Sequence, residues 1–369
     1  MRVIIAGGGI VGLSAGIAFK TIGWDVLVCE QAPEIRAAGA AIGLWRNALD
    51  VFDELGVGEA IHAIGMPIET WFYDAAGARY RAPGFALADH AFTLVPRPEL
   101  NRLLADAVGR ANIRVDTRVV GFDEQADHID VTLNDGTLER ADLLLGADGA
   151  YSAVRAQLLP GHAAREHSGH HVWRGMLAAG DEPAEGSVLT VGHRRTRGGY
   201  TRTYGDQVVW MVNQFDSATP AGTKKDEALI RAAHLNDNGW NDALVKLIER
   251  TPEAQILHNP IMFVPPLPRW TAARVALIGD AAHALSPHIS AGGTLGVEDV
   301  RVLVNAVTKQ GDLAAALSAY EANRIPHYTR VHELAYAVEL ARDAHEYARE
   351  YATFSHWMLN DGYRASRAG

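Results

Sequence analysis

The sequence predicts an α/β fold: a parallel, doubly wound domain interleaved along the chain with a mixed β-sheet domain, then a C-terminal helical segment. Three observations predict it. The first thirty residues alternate strand, glycine turn, helix and strand; long alternating strands occupy 169–213; and short buried strands near 143 and 275 return the chain to the first domain.

Val3-Ile4-Ile5-Ala6 reads as a buried strand, Val11 to Ile22 as a helix ended by Gly23, and Asp25 to Glu30 as the next strand. This is a βαβ unit, so its strands are expected to be parallel with a right-handed crossover. The glycine-rich stretch from Ala37 to Gly43 precedes a helix through Asn47 to Leu55. Ile68 to Arg81 suggests a hairpin around Ala75-Ala76-Gly77, and a helix follows from about Arg97 to Arg110. Ile113 to Val120 and Ile129 to Leu133 are expected to pair. Trp173, Tyr200, Tyr204 and Trp210 mark the alternating strands as a sheet with one covered face, a platform suited to a flat ligand. Two helices, near 227–235 and 240–250, lead to the Val275 to Ile278 strand. A helical tail from about Gly296 to Leu359 is expected to break at Pro326.

The 369 residues are 48% hydrophobic and 21% charged, with 36 glycines, which fits a large globular core and not a disordered or fibrous chain. Net charge is −10 with Lys and Arg spread thinly, so no concentrated basic face is available for nucleic acid. Cys29 is the single cysteine, which excludes an intrachain disulfide and a Cys-based metal centre. The apolar N-terminus imitates a signal peptide, but the glycines from Gly7 to Gly12 break it, and no stretch reaches the length of a membrane span. The expected location is cytoplasmic, with no membrane partner.

Gly7-Gly8-Gly9-Ile10-Val11-Gly12 contains G-x-G-x-x-G between a strand and a helix. Gly7 permits the tight turn, Gly9 lets a pyrophosphate approach the backbone, and Gly12 allows close helix–strand packing. The helix N-terminus offers unpaired N–H groups to phosphates. Glu30 ends the second strand roughly twenty residues on, where a carboxylate accepts from ribose hydroxyls and repels a 2′-phosphate. This Rossmann-like fingerprint serves NAD and FAD alike.

Two later segments discriminate. Leu143-Leu144-Leu145-Gly146-Ala147-Asp148-Gly149 is a strand ending in an Asp-Gly turn, with Arg155 on the helix beyond. Ala276-Leu277-Ile278-Gly279-Asp280 is a strand ending in Gly-Asp, followed by Pro287, Gly292, Gly293, Glu298 and Asp299. The N–H groups of Gly292 and Gly293 and the dipole of their helix suit a group that carries negative charge. No metal is expected, because His167, His170 and His171 lack a clear third ligand, and no G-x-S-x-G follows a strand as a hydrolase would need.

Taken together, these three segments resemble the class A flavoprotein monooxygenases, the salicylate and p-hydroxybenzoate hydroxylase type. The likeness extends to Arg97 in Arg97-Pro98-Glu99-Leu100, to Trp173-Arg174-Gly175, and to Tyr320-Glu321 with Arg324 and Pro326. It implies an FAD-binding domain at 1–67, 96–165 and 272–325, a substrate-binding domain at 68–95 and 166–271, and a helical tail at 326–369. By the same resemblance Asp280 contacts the FAD ribityl chain, and Asp148 the pyrophosphate region and NAD(P)H. Arg36 and Arg97 reach the FAD ribose and phosphates, and Val119 the adenine. One departure stands out: the family's Gly-Gln-Gly reads Ser290-Ala291-Gly292 here, which puts the local mobility of that loop in question.

The resemblance implies hydroxylation of an aromatic or heteroaromatic small molecule with NAD(P)H and O2, through a flavin C4a-hydroperoxide formed beside the Pro287–Gly293 loop. Pro287 and the strand residues His171, Tyr200 and Arg202 are the substrate-side candidates; Tyr200 and Arg202 share a face. Arg194, Arg195, Arg197 and Arg202 leave open whether the substrate carries a carboxylate. Monomer and homodimer both stay open. So do two other readings, a flavin oxidase or reductase on the same scaffold and an FAD-containing binding protein without turnover.

Overall fold

The computed structural model describes residues 1–35, 41–86, 89, 91–183 and 187–368. Its first sheet is wholly parallel, in the order Val275–Leu277, Leu143–Gly146, Arg2–Ala6, Asp25–Cys29, Ile113–Arg114. The three central strands are almost continuously Val, Ile and Leu, because helices cover both faces of such a sheet and nearly every side chain is buried. The Ile10–Thr21 helix packs on Arg97–Val108 and on Gly292–Lys309.

Register decides where the site lies. Ala6 pairs with Cys29 on one side and Gly146 on the other, and Gly146 pairs with Leu277. Four strands therefore end level. The turns that follow them, starting at Gly7, Glu30, Ala147 and Ile278, emerge side by side at the carboxyl edge, where open α/β sheets bind ligands.

The second sheet has nine strands. Eight run in the order Leu257–Phe263, Arg165–Ala178, Gln207–Gln214, Thr196–Thr203, Ser187–Val191, Met66–Asp74, Ala91–Pro96, Ala41–Leu44, and Arg79–Tyr80 pairs with Met66–Asp74. One face carries Trp173, Tyr200, Val208, Trp210 and Val212 against the helices Lys224–Ala232 and Asp242–Arg250, a core of its own. Period-two alternation turns Arg174, Leu189, Gly199, Thr201, Val209 and Met211 to the opposite face. The strand Ala41–Leu44 belongs to this sheet although it lies within 1–67, so the first segment feeds both units. The domain limits stated above remain our proposal.

Two expectations are corrected. The tail does not break at Pro326, which sits inside the Leu313–Leu340 helix. That helix is held by packing on Gly292–Lys309 and Ala344–Leu359 and continues without the one backbone hydrogen bond that proline cannot donate. Ile113–Arg114 joins the parallel sheet, and the partner of Ile129–Leu133 begins only at Val119. Among the described residues no helix is long and apolar enough to cross a membrane.

Candidate active site

The glycine turn is shaped by contacts at two positions and by openness at a third. Gly7 has φ +107°, and a Cβ there would lie 2.3 Å from the carbonyl oxygen of Ala147. A Cβ at Gly12 would lie 2.0 Å from the Gly7 oxygen, so helix and strand approach as closely as only glycine permits. A Cβ at Gly9 would meet nothing within 4 Å. Gly9 caps the Ile10–Thr21 helix in an extended conformation with no side-chain cap, so the first N–H groups of the helix face a cavity. Glu30 is fixed at the mouth of this turn: its carboxylate accepts from the N–H of Gly8 and of Ala32, both at 2.8 Å.

That cavity has a volume of about 800 Å³. It is lined by Gly7, Gly9, Glu30, Arg97, Val119, Asp148, Tyr200, Asp280, Pro287, Gly292 and Gly293 among the expected residues. Gly12 lies behind the turn and acts through packing, and Arg36 lies outside the described residues. The lining fits FAD on two unmet polar atoms. One oxygen of Asp148 accepts from the N–H of Ala153 at 2.7 Å, while the other is buried without a partner; the Nε of Arg97 is likewise buried and unpartnered. Asp280 is exposed into the cavity, close to open backbone at Gly292.

A fully buried charge network holds the Gly-Asp turn. Asp299 accepts from the N–H of Gly279 at 2.9 Å, from His283 at 2.6 Å and from the Nε of Arg324 at 2.7 Å. Burial pushes the Asp299 carboxyl up, and His283 and Arg324 more than reverse this, leaving it below the ordinary carboxylate range. Glu298, equally buried, is raised, because burial outweighs Arg324 and Asn47.

The Pro287–Gly293 loop departs from glycine where the backbone is left-handed. Ser290 has φ +53°, and its carbonyl accepts from the indole N–H of Trp45 at 3.0 Å. The Trp45 backbone N–H donates to Thr294 Oγ1 at 3.1 Å, and Tyr347 donates to the His288 carbonyl at 3.0 Å. The loop whose mobility the sequence left in question is thus held at Ser290 by Trp45 and at His288 by Tyr347.

Beyond the loop the cavity becomes a chamber. It is lined there by Ile42, Gly43, Phe92 and Leu94, by Leu189, Gly199, Val209 and Met211, and by Tyr351. The polar groups reaching it include Thr70, Thr201, Ser290, Arg174 and His288.

Two substrate-side expectations, His171 and Arg202, are not brought to this cavity, and a third, Tyr200, lines it with its ring packed in the second core. His171 stacks on His258 and lies beside Trp173 on the far face of the sheet. Arg202 donates to the carbonyls of Gly180 and Glu182 and pairs with Asp206. Tyr200 touches the cavity only along its strand: its ring belongs to the second core, and burial pushes the phenol up to about 12. Tyr200 and Arg202 do share a face, the one turned away. Pro287 does line the chamber.

Sequence reasoning missed His288 and weighed His170 only as a metal ligand. The Ser286 hydroxyl lies 2.7 Å from His288 Nδ1 and 3.3 Å from His170 Nδ1, and His288 Nε2 lies 3.2 Å from the carbonyl of Ala335. A carbonyl only accepts, so His288 donates through Nε2 and accepts from Ser286 through Nδ1. Burial keeps both rings neutral, lowering His288 to about 3 and His170 to about 2. Only the folded loop brings these residues together.

Residues 1–335 match the FAD binding domain family. The chain is 32% identical over 337 residues to an aurachin C monooxygenase/isomerase of Stigmatella aurantiaca, covering 88% of this chain and 85% of that one. It is 33% identical over 333 residues to an FAD-dependent urate hydroxylase of Klebsiella pneumoniae, covering 88% and 86%. The crystal structure of Klebsiella pneumoniae HpxO complexed with FAD and uric acid superposes with a TM-score of 0.83 at 26% identity, covering 100% of this chain and 97% of that one. The chain belongs to the FAD binding domain family and is an FAD-dependent monooxygenase.

Proposed function

We propose, from that membership, that the protein hydroxylates a planar heteroaromatic molecule, with NAD(P)H as electron donor and O2 as oxygen source. The observation that carries the reading is the continuity of one cavity from the Gly7–Gly12 turn, past Asp280, to the apolar chamber under the second sheet. A dinucleotide held along it would have its ring system beside a substrate in that chamber. That the urate hydroxylase relative acts on a heteroaromatic compound supports the same class.

Bound FAD supplies the electron transfer and the activation of oxygen. The chain's own residues do the rest. The N-terminus of the Ile10–Thr21 helix and the backbone at Gly9 take the pyrophosphate, and Glu30 takes the adenosine ribose beside Val119. The free oxygen of Asp148 and the Nε of Arg97 complete the polar middle, and Asp280 takes the ribityl hydroxyls. Gly292 and Gly293 begin the helix Gly292–Lys309, and their N–H groups would offer the flavin ring a positive helix end that favours negative charge. Leu189, Val209 and Met211 keep water from the reacting face, and Thr70, Thr201 and Ser290 offer hydroxyls to a ring N–H or O–H.

The test is a panel of purines, pyridines, quinolines and phenols, following NAD(P)H consumption and product mass. A ring that stimulates consumption and gains one oxygen atom supports the proposal. Stimulation by none of the heteroaromatic compounds removes it.

A further inference from the structure

The sheet wall of the chamber carries a single charged side chain among the described residues. Cross-strand register sets Arg174 opposite Met211, Met211 opposite Gly199, and Gly199 opposite Leu189, and all four line the cavity. The row is flat at its middle, where Gly199 adds no side chain, and cationic at one end. Trp173 is fully buried on the other face, so Arg174 cannot turn away from the chamber without breaking the strand's alternation.

Arg174 is half-buried, and its hydrogen-bond partner is the amide oxygen of Asn259, at 3.3 Å. No carboxylate pairs with it among the described residues, although acidic residues outnumber Lys and Arg by 44 to 34 in this chain. The charge it does feel is like its own: burial first, and then Arg97 across the cavity, lower its pKa. A half-buried guanidinium that faces a second cation and no anion is in an unfavourable setting that a bound anion relieves, and its planar fork matches a carboxylate or an ionised ring oxygen.

We propose that Arg174 is the anion-recognition residue of the substrate chamber, so that the substrate is a planar aromatic anion. Its ring lies along Met211, Gly199 and Leu189, and its ionised group lies at the Arg174 end. This rests on the chamber being the substrate site, as proposed above, and adds the charge of the substrate.

The experiment titrates the FAD-loaded protein with benzoate and with benzamide, its uncharged isostere, read by flavin absorbance and by calorimetry. The expected wild-type result is benzoate binding at least 10-fold tighter than benzamide. In Arg174→Gln the benzoate Kd rises by about 10- to 100-fold while that of benzamide moves less than about 3-fold, and Arg174→Lys recovers part of the difference. A wild type that prefers benzamide, or binds neither, overturns the inference without any variant. So does an Arg174→Gln protein with unchanged benzoate binding, one that has lost FAD, or one in which only the KM for NAD(P)H rises, which would assign Arg174 to a dinucleotide phosphate. Absence of substrate-stimulated NAD(P)H consumption would instead count against the hydroxylase reading, and the benzoate–benzamide contrast would still be read separately.

Discussion

The indole N–H of Trp45 donates to the carbonyl of Ser290 at 3.0 Å, and Ser290 stands in the left-handed region at φ +53°. A serine there costs about 1 kcal/mol relative to glycine, and the buried indole holds it in place. Ser290→Gly is therefore expected to raise stability by about 1 kcal/mol in denaturant unfolding. Trp45→Phe is expected to lower it by about 2 kcal/mol and to weaken FAD binding several-fold, with a smaller loss in the Ser290→Gly background. Strictly additive effects would show that the indole does not hold the loop.

The glycines of the first turn separate binding from folding. Gly9→Val points its side chain into open cavity, so the variant is expected to fold with an unchanged midpoint and to bind FAD at least 100-fold more weakly. Gly12→Ala meets the Gly7 carbonyl and is expected to cost about 3 kcal/mol or more. Thermal melts with and without FAD distinguish the two. A Gly9→Val protein that binds FAD normally would place the pyrophosphate elsewhere.

Asp299 ties Gly279 to His283 and Arg324 in a region without solvent. Asp299→Asn leaves Arg324 under-compensated and is expected to destabilise the protein by about 3 kcal/mol. Because Gly279 precedes Asp280, FAD affinity is expected to fall as well, measured by flavin fluorescence on release. Retention of wild-type affinity would show that the network serves the core and not the turn.

His170 and His288 are buried and neutral, with pKa values of about 2 and about 3 against an ordinary 6.5. The unfolded chain binds protons at these residues below pH 6.5 and the folded chain does not, so their effect is to erode stability as pH falls from 6.5 toward 3. At pH 5 each contributes a loss of about 2 kcal/mol. Urea unfolding of the wild type and of His170→Phe at pH 7.5 and 5 is expected to show a shallower pH slope in the variant. Equal slopes would mean that His170 is protonated in the folded protein.

What the sequence disclosed was whatever depends on local spacing. The strand–turn–helix at Gly7 to Gly12, the acid at Glu30 and the two Asp-containing turns each declare themselves within a few residues, and one register, Cys29–Ala6–Gly146–Leu277, brings them level. The substrate side was not legible because it depends on which face of a long strand is covered. His171, Tyr200 and Arg202 have suitable chemistry and the wrong parity. Trp173 is buried in the second core, so strand alternation turns its neighbour Arg174 to the other face, a parity that the sequence carried without showing which face was covered. The Pro326 misreading had a different source, since packing of the Leu313–Leu340 helix outweighs one lost hydrogen bond, and sequence shows the proline without its neighbours.

The claim on which all of this rests is that flavin and aromatic ring share one chamber in which an atom of O2 reaches the ring. It is tested most directly by turnover under ¹⁸O2 with a stimulating substrate and mass analysis of the product. The account predicts one ¹⁸O atom in each hydroxylated product for each NAD(P)H consumed. Product oxygen drawn from water, or hydrogen peroxide released with the ring unchanged, would contradict it.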